Sequence, residues 1–154
     1  MKIIGCGNVD RGDDAAGLLV ARRLREWGID AVEECGGGFA LIDSWAGAGD
    51  VVLVDAVVSG RPPGSITVWD AGMSPPPADR RTSSSHGFGV AQAVRLARVL
   101  GRMPRSLIIY GIEGRNFDLG SSASAEVIEA SESVARRLAA TASCTCSPPP
   151  AGFC

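Results

Sequence analysis

The sequence predicts an α/β protein: a three-layer αβα sandwich on a mostly parallel, twisted, five-stranded sheet with one antiparallel strand. Three observations predict it. Short apolar runs alternate with longer amphipathic ones in the order β-α-β-α-β-β-α-β-α. The run Val51-Val52-Leu53-Val54 is wholly apolar, as in a central parallel strand covered on both faces. The chain has 154 residues, 45% of them hydrophobic, enough for one domain with a real core.

Each element has its own signature. Lys2–Cys6 reads as the first strand and ends in the turn Gly5-Cys6-Gly7-Asn8. Asp13 to about Gly28 reads as a helix, with Ala16, Val20, Leu24 and Trp27 on one stripe and Arg22, Arg23, Arg25 and Glu26 facing away. Ala31–Glu34 is a short strand, followed by Gly36-Gly37-Gly38 and a helix over Phe39–Trp45. Val51–Asp55 is the central strand, and Gly60-Arg61-Pro62-Pro63-Gly64 is a turn. Ile66–Trp69 is a shorter strand, and its closeness in sequence to the preceding one suggests that the two pair antiparallel. Met73–Ser85 is a Pro/Ser/Arg-rich loop. Gly87 to about Gly101 is helical, with Val90, Val94, Ala97 and Leu100 on one face. Ser106–Tyr110 is the last strand. Ser122 to about Ala140 is the last helix, with Val127, Val134 and Leu138 inward and Glu132 paired to Arg136. Residues 1–141 form the domain, and 142–154 form a disordered Cys/Pro-rich tail.

Composition excludes several functions. The formal charge of −2, from 15 basic and 17 acidic residues, offers no basic field for nucleic acid or an anionic membrane surface. Apolar stretches such as Leu107–Tyr110 are too short to span a bilayer. The opening Met1-Lys2-Ile3-Ile4-Gly5 shows no signal peptide, so the expected compartment is the cytoplasm. Five cysteines, an odd number, argue against a disulfide framework. Cys144-Thr145-Cys146 is not the Cys-x-x-Cys spacing of zinc or redox sites.

In open α/β sheets, ligands bind outside the carboxyl ends of the strands. The residues just past each strand therefore matter most. After the first come Asp10, Asp13 and Asp14; the third ends in Asp55; Ser85-His86-Gly87 opens the third major helix; Glu113 lies just past the last strand. His86 is the only histidine. Asp13 or Asp14 could simply favour a helix N-terminus, and Asp55 could merely cap a turn. Taken together, two carboxylates and one imidazole from separate segments can converge on a divalent cation such as nickel, zinc or iron. A helix N-terminus keeps His86 neutral, the form that binds metal. Asp10 and Glu113 are further candidates for lining the cleft. Arg80 and Arg81 fit either a partner surface or a solvated loop. A dinucleotide fingerprint is excluded, because Asp10 stands where its third glycine belongs and the loop is acidic. Gly-x-Ser-x-Gly and His-Glu-x-x-His are both absent. Cys6 fits a core thiol at a strand end better than a nucleophile.

Four segments, in order, carry a resemblance. They are Gly5-Cys6-Gly7-Asn8 with Asp13-Asp14 and Gly17, then Gly36-Gly37, then Val52-Leu53-Val54-Asp55-Ala56-Val57, then Ser85-His86-Gly87-Phe88-Gly89. Together, over residues 1 to about 138, they resemble the hydrogenase maturation proteases. The resemblance implies an endopeptidase that removes a C-terminal extension from the large-subunit precursor of a nickel–iron hydrogenase after nickel insertion. It implies a metal-contacting set of Asp14, Asp55 and His86, with Asp14 and Asp55 also catalytic and Gly36 and Gly37 near the substrate. Several relatives carry glutamate at the Asp14 position, and some carry an acidic residue at that of Cys35. The expected metal is nickel borne by the substrate rather than held permanently. Two routes remain open: water activated by a carboxylate, aspartic-type, or metal-assisted attack. The alternative is a non-catalytic metal-dependent binding module or chaperone for a metalloenzyme precursor.

Overall fold

The computed structural model describes residues 1–74 and 89–144. Strands β1 (Lys2–Cys6), β2 (Val32–Glu34), β3 (Asp50–Val57), β4 (Ile66–Asp70) and β5 (Ser106–Glu113) form one sheet in the order β2-β1-β3-β5-β4. The pairs β1–β2, β1–β3 and β3–β5 are parallel. Helices α1 (Ala16–Glu26), α2 (Gly38–Ser44), α3 (Val90–Val99) and α4 (Ala125–Cys144) cover both faces, and a 3-10 turn at Gly12–Ala15 precedes α1. The three-layer sandwich is as the sequence predicts.

The strands alternate side chains between two cores. Ile3, Val52, Val54 and Ile112 pack with Ala16, Val20 and Leu24 of α1 and Val127, Val134 and Leu138 of α4. Ile4, Val51, Leu53, Leu107 and Ile109 pack with Leu41 and Ile42 of α2, Trp45, and Val94 and Ala97 of α3. Both faces of β3 are thus buried, which is why its sequence is apolar without alternation. Helix α1 presses close on the sheet: a Cβ on Gly5 would overlap the carbonyl of Gly17, and one on Gly17 the carbonyl of Val54.

Three expectations change. β4 pairs antiparallel with β5, not with the strand before it. β3 has no free edge, since β1 and β5 occupy both, so residues 58–65 carry the chain across β5 to its outer edge. There the Gly64 amide donates to the Glu113 carbonyl (2.8 Å) and the Glu113 amide to the Ser65 carbonyl (2.9 Å). Trp27 and Leu100, placed inward by periodicity, are instead 42% and 48% exposed. Each stands just past its helix as the C-cap, where the helical phase no longer holds. Arg23 stacks its guanidinium over the Trp27 ring at 5.9 Å. The last helix runs on through Cys144, past the expected boundary at 141. The remaining tail, Arg80, Arg81 and His86 lie outside the described residues.

Candidate active site

The strand order reverses between β1 and β3, with β2 on the far side of β1. Such a switch point leaves a crevice at the carboxyl ends of the two strands. Side chains from both strands meet there. Cys6 ends β1 and pairs in register with Glu34, the last residue of β2. Gly5 pairs with Val54, which sets Asp55 beside Cys6. Asp55 and Cys6 are nearly closed off, at 8% and 7% exposure. Asp14 arrives on the 3-10 turn after β1. Burial pushes the Cys6 thiol well up from its ordinary range, and the negative charges of Asp55, Glu34, Cys35 and Asp14 push it further.

The turn bearing Asp14 is tightly specified. Gly7 has φ +144°, and a Cβ there would overlap the Asp14 carbonyl oxygen, which accepts the Asn8 amide at 3.2 Å. Asp13, adjacent in sequence, has a different task. It is fully buried, and its carboxylate accepts the backbone amides of Arg115 (2.8 Å), Asn116 (3.0 Å) and Ser124 (2.6 Å). Burial alone would raise its pKa, but these donors outweigh it and hold the carboxyl below its usual range. Asp13 therefore staples the Asp14 turn to the loop between β5 and α4.

The other candidates separate. Gly36 and Gly37 are exposed between β2 and α2. The Gly36 amide donates to Glu34 at 2.8 Å, and the Ser44 hydroxyl donates to the other Glu34 oxygen. Asp10 lies in an exposed turn; its amide is capped by the Asn8 side chain (2.9 Å) and its carbonyl accepts the Gly120 amide (2.7 Å). Glu113 was expected just past the last strand, at the cleft or as a solvated acid; it is instead the last residue of β5 and is shielded from solvent. It is 2% exposed and accepts the Ser59 amide (2.8 Å), the Ser59 hydroxyl (2.7 Å) and the Gly60 amide (3.0 Å). These donors come from one loop, so the carboxylate is a buttress rather than a lining group.

Glu34 is a rim residue that the sequence did not single out. Its signal, an acidic residue ending a strand, is the one the sequence offered for Asp55, whose strand in fact runs on to Val57, but the adjoining run of glycines masks it. Among the described residues, no three His, Cys, Asp or Glu side chains are grouped to hold a metal ion. Asp14 and Asp55 are two of the three expected ligands, and the third, His86, lies outside the described residues. Helix α3, which begins four residues after His86, packs on the same sheet face as Cys6. A pocket bounded by Trp45, Arg102 and Pro104 lies at the opposite end, where β3 and β5 begin, remote from these acids.

A mostly parallel five-stranded sheet covered by helices on both faces defines the class as a three-layer α/β protein. The profile of the hydrogenase maturation proteases matches residues 21–141, and the chain belongs to that family. The hydrogenase expression/formation protein HupD of Thiocapsa roseopersicina is 28% identical over 121 residues, covering 75% of this chain. The match spans only 55% of HupD, so this chain spans little more than half of that curated relative. The crystal structure of the [NiFe] hydrogenase maturation protease HycI from Thermococcus kodakarensis KOD1 has 27% identity and a TM-score of 0.69, covering 90% of this chain and 88% of that one. The hydrogenase maturating endopeptidase HybD of Escherichia coli, at 19% identity and TM-score 0.71, shares the fold over 95% and 94% of the two chains.

Proposed function

We propose that this chain is an endopeptidase that removes the C-terminal extension of a nickel–iron hydrogenase large-subunit precursor after nickel insertion. Family membership gives the class of reaction. What supports the site is the placement of Asp14, on the turn after β1, and of Asp55, on β3, towards the carboxyl ends of the two strands that flank the switch point.

In this reading the nickel belongs to the substrate. Asp14, Asp55 and His86 complete its coordination, which suits carboxylate and imidazole donors. A precursor without nickel lacks the anchor, so selection and docking are one event. Docking then holds the scissile peptide beside the carboxylates and turns its hydrolysis into a positioned reaction. Asp14 or Asp55 takes the proton of the attacking water. Gly36 and Gly37, exposed at the rim and without side chains, admit an extended substrate strand close to the backbone. Cys6, held as a buried neutral thiol, is a wall of the site and not its nucleophile. The domain that ends with α4 carries the activity, and the reaction belongs in the cytoplasm. No helix among the described residues is long and apolar enough to cross a membrane.

The test is a gel-mobility assay of the precursor with and without nickel. The chain shortens the nickel-loaded precursor only. A stable complex with no truncation would instead establish a binding module.

A further inference from the structure

We propose that Glu113 is a positioning residue: through Ser59 and Gly60 it holds the loop that follows β3, and so keeps Asp55, two residues before the end of that strand, in its working place. The inference rests on the endopeptidase reading above and extends it to a residue outside the metal-contacting set.

The geometry is specific. Glu113 ends β5 opposite Val57, two residues past Asp55, which itself pairs with Gly111. One carboxylate oxygen accepts both the Ser59 amide (2.8 Å) and the Gly60 amide (3.0 Å), while the other accepts the Ser59 hydroxyl (2.7 Å). The backbone of Glu113 holds the far end of the same loop, through Gly64 and Ser65 at 2.8 and 2.9 Å. Residues 58–65 are thus pinned at both ends to a single residue of the neighbouring strand. Among the described residues no cation pairs with Glu113. A carboxylate at 2% exposure is costly unless its acceptors are filled, and here one loop fills them. Core packing alone is served more cheaply by an apolar side chain. What the carboxylate adds is a fixed path for the chain as it leaves Val57, the end of the strand that carries Asp55.

Two substitutions separate positioning from bulk stability. Glu113→Gln keeps an oxygen for both amides, and the Ser59 hydroxyl can turn to accept from the new amide group. Glu113→Met keeps the volume and removes every acceptor. Hydrogen exchange at Ser59 and Gly60 and cleavage of nickel-loaded precursor are measured for both, at a temperature where circular dichroism shows each folded. For Glu113→Met, exchange at the two amides rises about tenfold or more, as loss of hydrogen bonds to a charged acceptor implies. Its kcat falls about tenfold while KM moves little, and Glu113→Gln restores both. Unchanged exchange in Glu113→Met, or wild-type kcat despite faster exchange, overturns the proposal. If Glu113→Met does not fold, Ser59→Ala replaces it, with a smaller loss of kcat expected and an unchanged kcat overturning the proposal. A wild-type chain that leaves every nickel-loaded precursor intact defeats the endopeptidase reading, while the exchange data still decide whether Glu113 holds the loop.

Discussion

Asp13 accepts a hydrogen bond of 2.6 Å from the backbone amide of Ser124, a residue 111 positions further along the chain. With the amides of Arg115 and Asn116 it closes the turn before α1 onto the loop before α4. The next residue, Asp14, is therefore presented by a turn fixed at long range.

Asp13→Ala leaves three partly buried amides without that acceptor and costs about 2–4 kcal/mol, read as a lower urea midpoint. Asp13→Asn keeps one oxygen acceptor and costs about 2 kcal/mol at pH 7. The folded pKa of Asp13 lies below its unfolded value. Its stabilisation is therefore complete above the ordinary carboxylate range and is lost as pH falls through the depressed folded pKa. The gap between wild type and Asp13→Asn accordingly narrows on acidification. A gap that stays constant from neutral to strongly acid pH contradicts this role.

Cys6 and Cys35 each stand at the end of a strand at the same rim but differ in chemistry. Cys35 is exposed, whereas Cys6 is buried and its thiol is pushed up by burial and by Asp55. Brief alkylation with iodoacetamide at pH 7.5, followed by peptide mapping, labels Cys35 and spares Cys6. Cys6→Ala retains precursor cleavage, since no thiolate takes part. Loss of cleavage in a folded Cys6→Ala variant would make the thiol a reacting group.

Gly7→Ala tests the turn itself. The position has φ +144° and no room for a Cβ against the Asp14 carbonyl. The strain costs about 1–3 kcal/mol, and relieving it moves Asp14. Cleavage by the folded variant drops further than its thermal stability does. Wild-type cleavage by Gly7→Ala would show that the placement of Asp14 is not critical.

The fold was legible because both periodicities were strong. Val51–Val54 announced a central parallel strand, and Val127, Val134 and Leu138 announced a helix face; all are buried. The partner of β4 was not legible. Sequence proximity favours a hairpin with β3, and only the occupation of both β3 edges sends the chain across β5. The place of Asp14 just past β1 was legible, whereas Asp55, read as the end of its strand, sits two residues inside a β3 that runs on to Val57. The divergent roles of neighbours were hidden for a different reason. Asp13 and Asp14 are chemically identical in sequence, and only the amides of Arg115, Asn116 and Ser124 distinguish the buried staple from its half-buried neighbour. Glu113 likewise looked like a rim acid until the loop donors of Ser59 and Gly60 surrounded it.

In the proposed reaction, Asp14, Asp55 and His86 together grip a nickel ion carried by the precursor. The decisive experiment is cleavage of nickel-loaded precursor by Asp14→Asn, Asp55→Asn and His86→Ala, each shown to be folded by its thermal midpoint. Each substitution is expected to abolish shortening of the precursor while the midpoint stays close to wild type. Full processing by all three variants contradicts the shared grip on nickel.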